Sequence, residues 1–180
     1  MKNFKYTKKC QVSGSKKLKK ILSLGSIPFV NDTHKINSDN LITISAPLEL
    51  YYCPVSKLVQ LNIEVDKKIL FPKSYPYTSS TTKILRENFL RLRNQIDKNN
   101  FLKKNDLIID IGSNDGNLLS NFKDRYKVLG VTPENIGKIA IKKGIPTIID
   151  YFDTLVVKKI NKKYGKAKII TATNVFAHIN

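Results

Sequence analysis

Residues 106–119 read DLIIDIGSNDGNLL, and the chemistry open to this stretch is the holding of a ligand. An apolar run ends in Asp110, Gly112 and Gly116 follow inside a polar turn, and Leu118 and Leu119 begin the next apolar stretch. Glycine lets a backbone turn sharply and approach a ligand closely. Asp110 can accept a hydrogen bond from a ligand amine or hydroxyl, and the first amides of a following helix are donors without an intrahelical partner. A strand that runs into such a turn is the construction that holds nucleotide-like ligands beyond the carboxyl end of a parallel sheet. The turn is not a P-loop, because GxxxxGK(S/T) is absent, and it is not GxGxxG, because Asn114 stands where the middle glycine would be. A pyrophosphate needs that close glycine, so a dinucleotide is disfavoured. A purely structural strand–helix turn remains the plain alternative.

Two further groups have chemistry-bearing spacing. Cys10-x-x-Ser13 and Cys53-x-x-Ser56 keep the interval of paired zinc ligands, with serine as the second residue of each pair. A structural zinc takes four ligands, and a neutral hydroxyl is a poor one beside a thiolate. His34 is a candidate third donor. Zinc is therefore disfavoured, and Cys10 and Cys53 read as buried thiols of a degenerate module. Two thiols also do not make a disulfide framework. His178 lies just after an apolar run, and a titratable imidazole at a strand end suits general acid–base work.

The elements that must position these residues follow from periodicity. From Thr82 onward Ile84, Leu85, Phe89, Leu92 and Ile96 fall near helical spacing, with Ser80, Thr81 or Thr82 as the N-cap. Strands are expected at Leu107–Ile111, Tyr126–Val131, Ile145–Ile149 and Ala167–Ala172. Helices are expected at Asn117–Phe122, Asn135–Lys143 and Phe152–Tyr164, the last two stopped by Gly144 and Gly165. Alternation at this spacing argues for an α/β fold with a parallel sheet covered on both faces, and the Ile/Val-rich strands suit burial on both sides. Residues 1–60 read as irregular with short β-like runs at Ile42–Ile44, Leu48–Tyr52 and Leu58–Leu61. Residues 61–82 read as a connector whose prolines forbid a long helix.

Composition narrows the partners. The net charge is +18, but four of the 32 basic residues are Arg and the rest are scattered Lys. Arg is the better residue for phosphate forks and base edges, so specific nucleic-acid binding is disfavoured and a lysine-rich solvated surface is the simpler reading. No stretch approaches the roughly 18 apolar residues of a membrane span. The basic N-terminus MKNFKYTKKC lacks the apolar stretch of a signal peptide, which makes the cytoplasm the expected compartment.

Several segments together resemble the S-adenosylmethionine-dependent C-methyltransferases that act on nucleotide-activated deoxysugars. CQVSG is similar to that family's CxxCG, and YYCPVSKLVQL to its CxxCxLVQL. LGSIPFVND, YPYTSSTT, DIGSNDGNLL, VLGVTPENIGKIAIKKGIPTIIDYFD and ATNVFAHIN occur in the family's order and spacing. The resemblance implies a class I methyltransferase, Rossmann-like parallel sheet over 83–180, preceded by a degenerate zinc-binding-like module over 1–60 and a connector over 61–82 that lines the active site.

It further implies that Asp110, Gly112, Ser113, Asn114 and Gly116 face the methionine part of S-adenosylmethionine. Thr132 stands where the family often has an acid for the ribose hydroxyls, with Glu134 two residues on as a compensating carboxylate on which the expectation does not rest. Asp150 is the candidate on the adenine side. Tyr75 and Tyr77 are implied in catalysis, Ser79 and Ser80 in substrate binding, and His178 as the base of an active site that takes a sugar nucleotide. Tyr75 and Tyr77 packing a linker onto the sheet, with Ser79 or Ser80 capping the helix, is the structural alternative.

A complete sheet of this class has seven strands, where about four are expected here. The sequence is accordingly read as a fragment with little activity alone, or as one whose sheet a second polypeptide completes. A non-catalytic remnant or binding module of the same fold is the main alternative, followed by a basic nucleic-acid-binding protein.

Overall fold

A computed structural model of the chain describes residues 3–29, 44–100 and 102–176. They fall into two compact units, Met1–Pro72 and Lys73–Asn180.

The first unit is antiparallel. Strands β1 (Phe4–Tyr6) and β5 (Ile63–Val65) form one pair, and β2 (Lys19–Pro28), β3 (Ser45–Tyr52) and β4 (Val59–Leu61) form a three-stranded sheet in that order. A four-residue helix, α1 (Lys67–Leu70), ends the unit, its first turn capped where Asp66 accepts from the Lys68 amide at 2.8 Å. The ten-residue β2 is where structure and sequence differ most. It mixes Lys, Ser and Gly with Ile and Leu and is exposed almost throughout, so no buried face marks it in the sequence. Backbone pairing to β3 makes it a strand, with register shifts between Lys20 and Leu22 and between Ser23 and Ser26. Of the expected run Ile42–Ile44, only Ile44 lies among the described residues; it precedes β3 and accepts from the Phe29 amide.

The second unit begins with a 3-10 turn at Ser79–Thr81 and a sixteen-residue helix, α2 (Lys83–Lys98). Phe89 and Ile96 are buried, and Leu85 and Leu92 pack beside them, as helical spacing requires. Ile84 points elsewhere and is 63% exposed. Then β6 (Leu107–Ile111), α3 (Asn117–Ser120), β7 (Lys127–Thr132), α4 (Gly137–Lys142), β8 (Thr147–Ile149), α5 (Thr154–Tyr164) and β9 (Ile169–Thr171) alternate. The strands make a parallel sheet in the order β8-β7-β6-β9.

Successive side chains of a strand face opposite sides of the sheet. Ile108 accordingly joins Phe89, Leu118, Leu119 and Phe122 on one face, while Leu107, Ile109 and Ile111 join Val156 and Ile160 of α5 on the other. Burying a side chain of this kind contributes roughly 1.5–3 kcal/mol. Every residue of β6 is buried, but β8 and β9 are half-buried or exposed, because each is bonded to only one neighbouring strand.

This is an α/β unit with a four-stranded, Rossmann-like parallel sheet, preceded by a small antiparallel β-rich unit. From β6 the chain steps outward through β7 and β8, and β9 then returns to the other side of β6. The strand order therefore reverses at β6, and the crevice outside the carboxyl ends of β6 and β9 is where such sheets place a ligand. Among the described residues no helix is long and apolar enough to cross a membrane.

Candidate cofactor site

The turn after β6 alternates through the left-handed region: Gly112, Asn114 and Gly116 have φ of 71°, 51° and 78°. The amides of Gly112 and Ser113 donate to the Val131 carbonyl at 2.8 and 3.1 Å, which ties the turn to β7. Packing also requires both glycines. A Cβ on Gly112 would overlap the Val175 side chain, and one on Gly116 would lie 2.7 Å from Ile145 Cδ1 and 2.9 Å from Ala140 Cβ. Gly130 of β7 makes room for Ser113, whose hydroxyl would collide with a Cβ there. Ser113 is buried, and among the described residues its Oγ has no hydrogen-bond partner. Buried hydroxyls are usually hydrogen-bonded, so this one is uncommon.

Asp110 sits at the carboxyl end of β6, 3% exposed, and accepts from Thr171 Oγ1 of β9 at 2.7 Å. Burial pushes its carboxyl up to about 7, opposed by the Thr171 hydrogen bond. On the neighbouring strand Thr132 and Glu134 are both buried, and the Thr132 hydroxyl donates to Glu134 Oε2. The compensating carboxylate is thus in direct contact with the threonine. Asp150, after the outer strand β8, is exposed, and its carboxylate accepts from the Tyr151 amide at 2.8 Å. His178 and His34 lie outside the described residues.

Residues 73–79 are stitched to the loops after both central strands. The Asn135 amide donates to the Lys73 carbonyl at 2.9 Å. The Tyr75 and Tyr77 rings meet edge-on, with centroids 6.4 Å apart. Burial, then the charge of Glu134 and then Tyr77, raise the Tyr75 phenol above its ordinary value. Asn114 donates to the Tyr77 carbonyl at 3.0 Å and accepts from the Ser79 amide at 2.9 Å. Asn117 donates to the Ser79 carbonyl at 3.1 Å.

The Ser79 hydroxyl donates to Asp115, which is wholly buried and also holds Lys143 at 2.9 Å. Burial alone would raise Asp115, but hydrogen bonds from Ser79, Ser80 and Lys143 and the lysine's charge outweigh it and hold the carboxyl below its usual range. The structure therefore gathers Asp110, Ser113, Thr132, Tyr75 and Tyr77 around the carboxyl ends of β6 and β7, and engages Asn114 and Ser79 with each other. Asp115, Asn117, Lys143 and Thr171 were not legible as site residues. The single hint was that Asp115 and Asn117 are polar residues within a glycine turn.

In the first unit Cys10, Ser13, Cys53 and Ser56 converge. Cys10 Sγ lies 3.1 Å from Ser56 Oγ, and Ser13 Oγ lies 3.5 Å from Cys53 Sγ. Both thiols are buried. Hydrogen bonds from the Ser13 hydroxyl and amide and from Ser56 lower the Cys10 thiol to about 6 against its burial, and Ser13 and Ser56 lower Cys53 in the same way. Two thiols and two neutral hydroxyls do not fit a structural zinc ion, which takes thiolate, imidazole or carboxylate ligands at four corners. By contrast, a buried acid beside an unpaired hydroxyl, at the point where strand order reverses, fits the amino-acid end of S-adenosylmethionine.

Residues 10–71 match the model of a methyltransferase-associated family described as "Putative zinc binding domain". The chain is 27% identical over 172 residues to C-methyltransferase NovU of Streptomyces niveus, an alignment that covers 94% of this chain and 41% of that protein. It spans about two fifths of the length of this curated relative. The chain over most of its length is thus similar to a C-methyltransferase, and its first part to a domain associated with methyltransferases, as its motifs indicate.

Proposed function

We propose that this chain supplies the cofactor-binding part of an S-adenosylmethionine-dependent C-methyltransferase acting on a nucleotide-linked keto-deoxysugar. The observation that carries the reading is the buried Asp110 carboxylate at the end of β6, with the unpaired Ser113 hydroxyl in the turn that follows. In this reading Asp110, Ser113 and the backbone of Gly112, Asn114 and Gly116 hold the methionine end. Thr132 and Glu134 together take the ribose hydroxyls, and Asp150 lies toward the adenine. The cofactor supplies an electrophilic methyl group.

The chain's own part is to bind, orient and exclude water. Tyr75 and Tyr77 wall the sugar side, with Ser80 beside them. Ser79 acts through the backbone it holds, since its hydroxyl bonds Asp115. His178 would take the proton next to the sugar's carbonyl and leave that carbon nucleophilic, while the cofactor would supply the methyl group, its S–CH3 bond breaking with the electron pair kept on sulfur. Turnover by this chain alone is expected to be low, with a second polypeptide or further sheet completing the site. The cytoplasm is the proposed compartment, with neither membrane nor nucleic acid as a partner.

Isothermal titration of the chain with S-adenosylmethionine and with its demethylated product tests the reading. Saturable binding of both is expected; no binding of either at millimolar concentration by folded protein overturns it. Binding without methyl transfer, even when a completing polypeptide is supplied, favours the second reading, a non-catalytic binding module of the same fold.

A further inference from the structure

The two Cys-x-x-Ser turns of the first unit repeat one another. The Gly14 amide donates to the Cys10 carbonyl at 2.9 Å, and the Lys57 amide to the Cys53 carbonyl at 2.8 Å. The Cys10 amide donates to Ser15 and the Cys53 amide to Leu58, each at 2.8 Å. The residue after each serine is left-handed, Gly14 at φ 69° and Lys57 at φ 63°. A lysine holds that conformation only where its surroundings enforce it. The shared geometry is therefore a property of both turns and not of a permissive glycine in one.

The side chains meet crosswise, each thiol against the hydroxyl of the opposite turn, at 3.1 Å for Cys10–Ser56 and 3.5 Å for Ser13–Cys53. Four sulfurs about 2.3 Å from a tetrahedral zinc sit roughly 3.8 Å from one another. The observed cross distances belong to a somewhat tighter quartet, of a size that hydrogen bonds close without an ion. We propose that Cys10, Ser13, Cys53 and Ser56 form a metal-free clasp, in which crossed thiol–hydroxyl hydrogen bonds hold together two turns that keep the frame of a four-thiolate zinc site. The clasp lies wholly in the first unit and is independent of the cofactor reading.

The frame makes the lost site recoverable by exchanging oxygen for sulfur at two positions. The test uses the full chain, purified in the presence of zinc and dialysed, alongside the Ser13→Cys/Ser56→Cys double variant and the single variants Ser13→Ala and Ser56→Ala. The wild type is expected to retain no stoichiometric zinc and to melt at the same temperature with and without a chelator. The double variant is expected to take up about one zinc per chain, to show the strong sulfur-to-metal absorption of a tetrathiolate when loaded with cobalt(II), and to melt lower after chelation.

Each alanine variant is expected to lower the melting temperature of the chain, because it leaves the opposite thiol without its partner. A wild type that carries about one zinc and loses its fold on chelation overturns the proposal. So does a folded double variant that takes up no metal, or a pair of alanine variants that melt like the wild type. Should the double variant not fold, the zinc content of the wild type and the two alanine melts decide.

Discussion

The Ser79 hydroxyl donates a 2.6 Å hydrogen bond to Asp115 Oδ1, joining the tyrosine-bearing segment to the turn that leaves β6. Lys143 closes on the other oxygen of the same carboxylate at 2.9 Å, so one buried acid ties together the segment, the glycine turn and the residue that follows α4. The segment and the turn are therefore one hydrogen-bonded assembly, and loosening Asp115 should loosen both.

Ser79→Ala removes one bond to a charged, buried acceptor and is expected to cost about 1.5–3 kcal/mol. Asp115→Ala is expected to cost about 3 kcal/mol, since it removes the acceptor of Ser79 and of Lys143, whose half-exposed ammonium keeps the backbone carbonyl of residue 115. Urea unfolding near neutral pH reads both. Because the folded Asp115 carboxyl is held below its ordinary value, its contribution is present above the ordinary carboxylate range and is lost as pH falls through the folded value. A wild type and an Asp115→Asn variant whose stabilities run parallel down to acid pH would contradict this assignment.

Asp110 has the opposite sign. Its folded carboxyl is raised from 3.8 to about 7, so the folded state holds a proton that the unfolded state has released, and stability falls as pH rises between those values. Asp110→Asn removes the buried charge and is expected to raise stability at about pH 8 by up to about 4 kcal/mol, with the gain vanishing near pH 4. Denaturant midpoints for the two proteins across that range give the measurement. A variant less stable than wild type at the alkaline end would mean that burial is not what governs this carboxyl.

The same acid should show itself in cofactor binding. A cationic amine favours the charged carboxylate, so affinity for S-adenosylmethionine is expected to fall below about pH 7, the value to which Asp110 is raised, approaching tenfold per pH unit. Asp110→Asn should bind weakly and without that slope. Calorimetric titrations at about pH 6 and about pH 8 compare them; a variant with wild-type affinity at the higher pH would remove Asp110 from the site.

Two glycines separate strain from crowding. Gly116 and Gly144 both have left-handed backbone, at φ 78° and 76°, but a Cβ at Gly116 would press on Ile145 and Ala140 while one at Gly144 meets open space. Gly144→Ala is expected to cost about 1 kcal/mol of backbone strain. Gly116→Ala should cost about 1–3 kcal/mol more from overpacking. Equal losses in thermal or urea unfolding would show that the glycine turn is not packed against α4 as described.

Much of the second unit was legible because its signals are local. Ile108, Leu129 and Ile148 sit in Ile/Val-rich runs bounded by turn residues, and Phe89 and Ile96 recur at helical spacing, so strands and helices could be placed within a few residues. The ten-residue β2 was not legible, because its Ile21, Leu22 and Leu24 are exposed like its Lys, Ser and Gly and leave no buried period, and only its pairing with β3 defines it.

By itself the sequence determined which short segments turn sharply and which are apolar, since glycine conformations, caps and periodicity act over a few residues. It thus marked the Asp110–Gly116 turn, while Cys10-x-x-Ser13 and Cys53-x-x-Ser56 stood out only by their ligand-like spacing. Only the tertiary structure decided that β9 lies beside β6, that Thr171 meets Asp110, that Ser79 meets Asp115 and that Ser56 faces Cys10. These pairs are separated by 36 to 61 residues. Contacts of that range are selected by the joint burial and hydrogen-bond satisfaction of the whole unit, which no local pattern encodes.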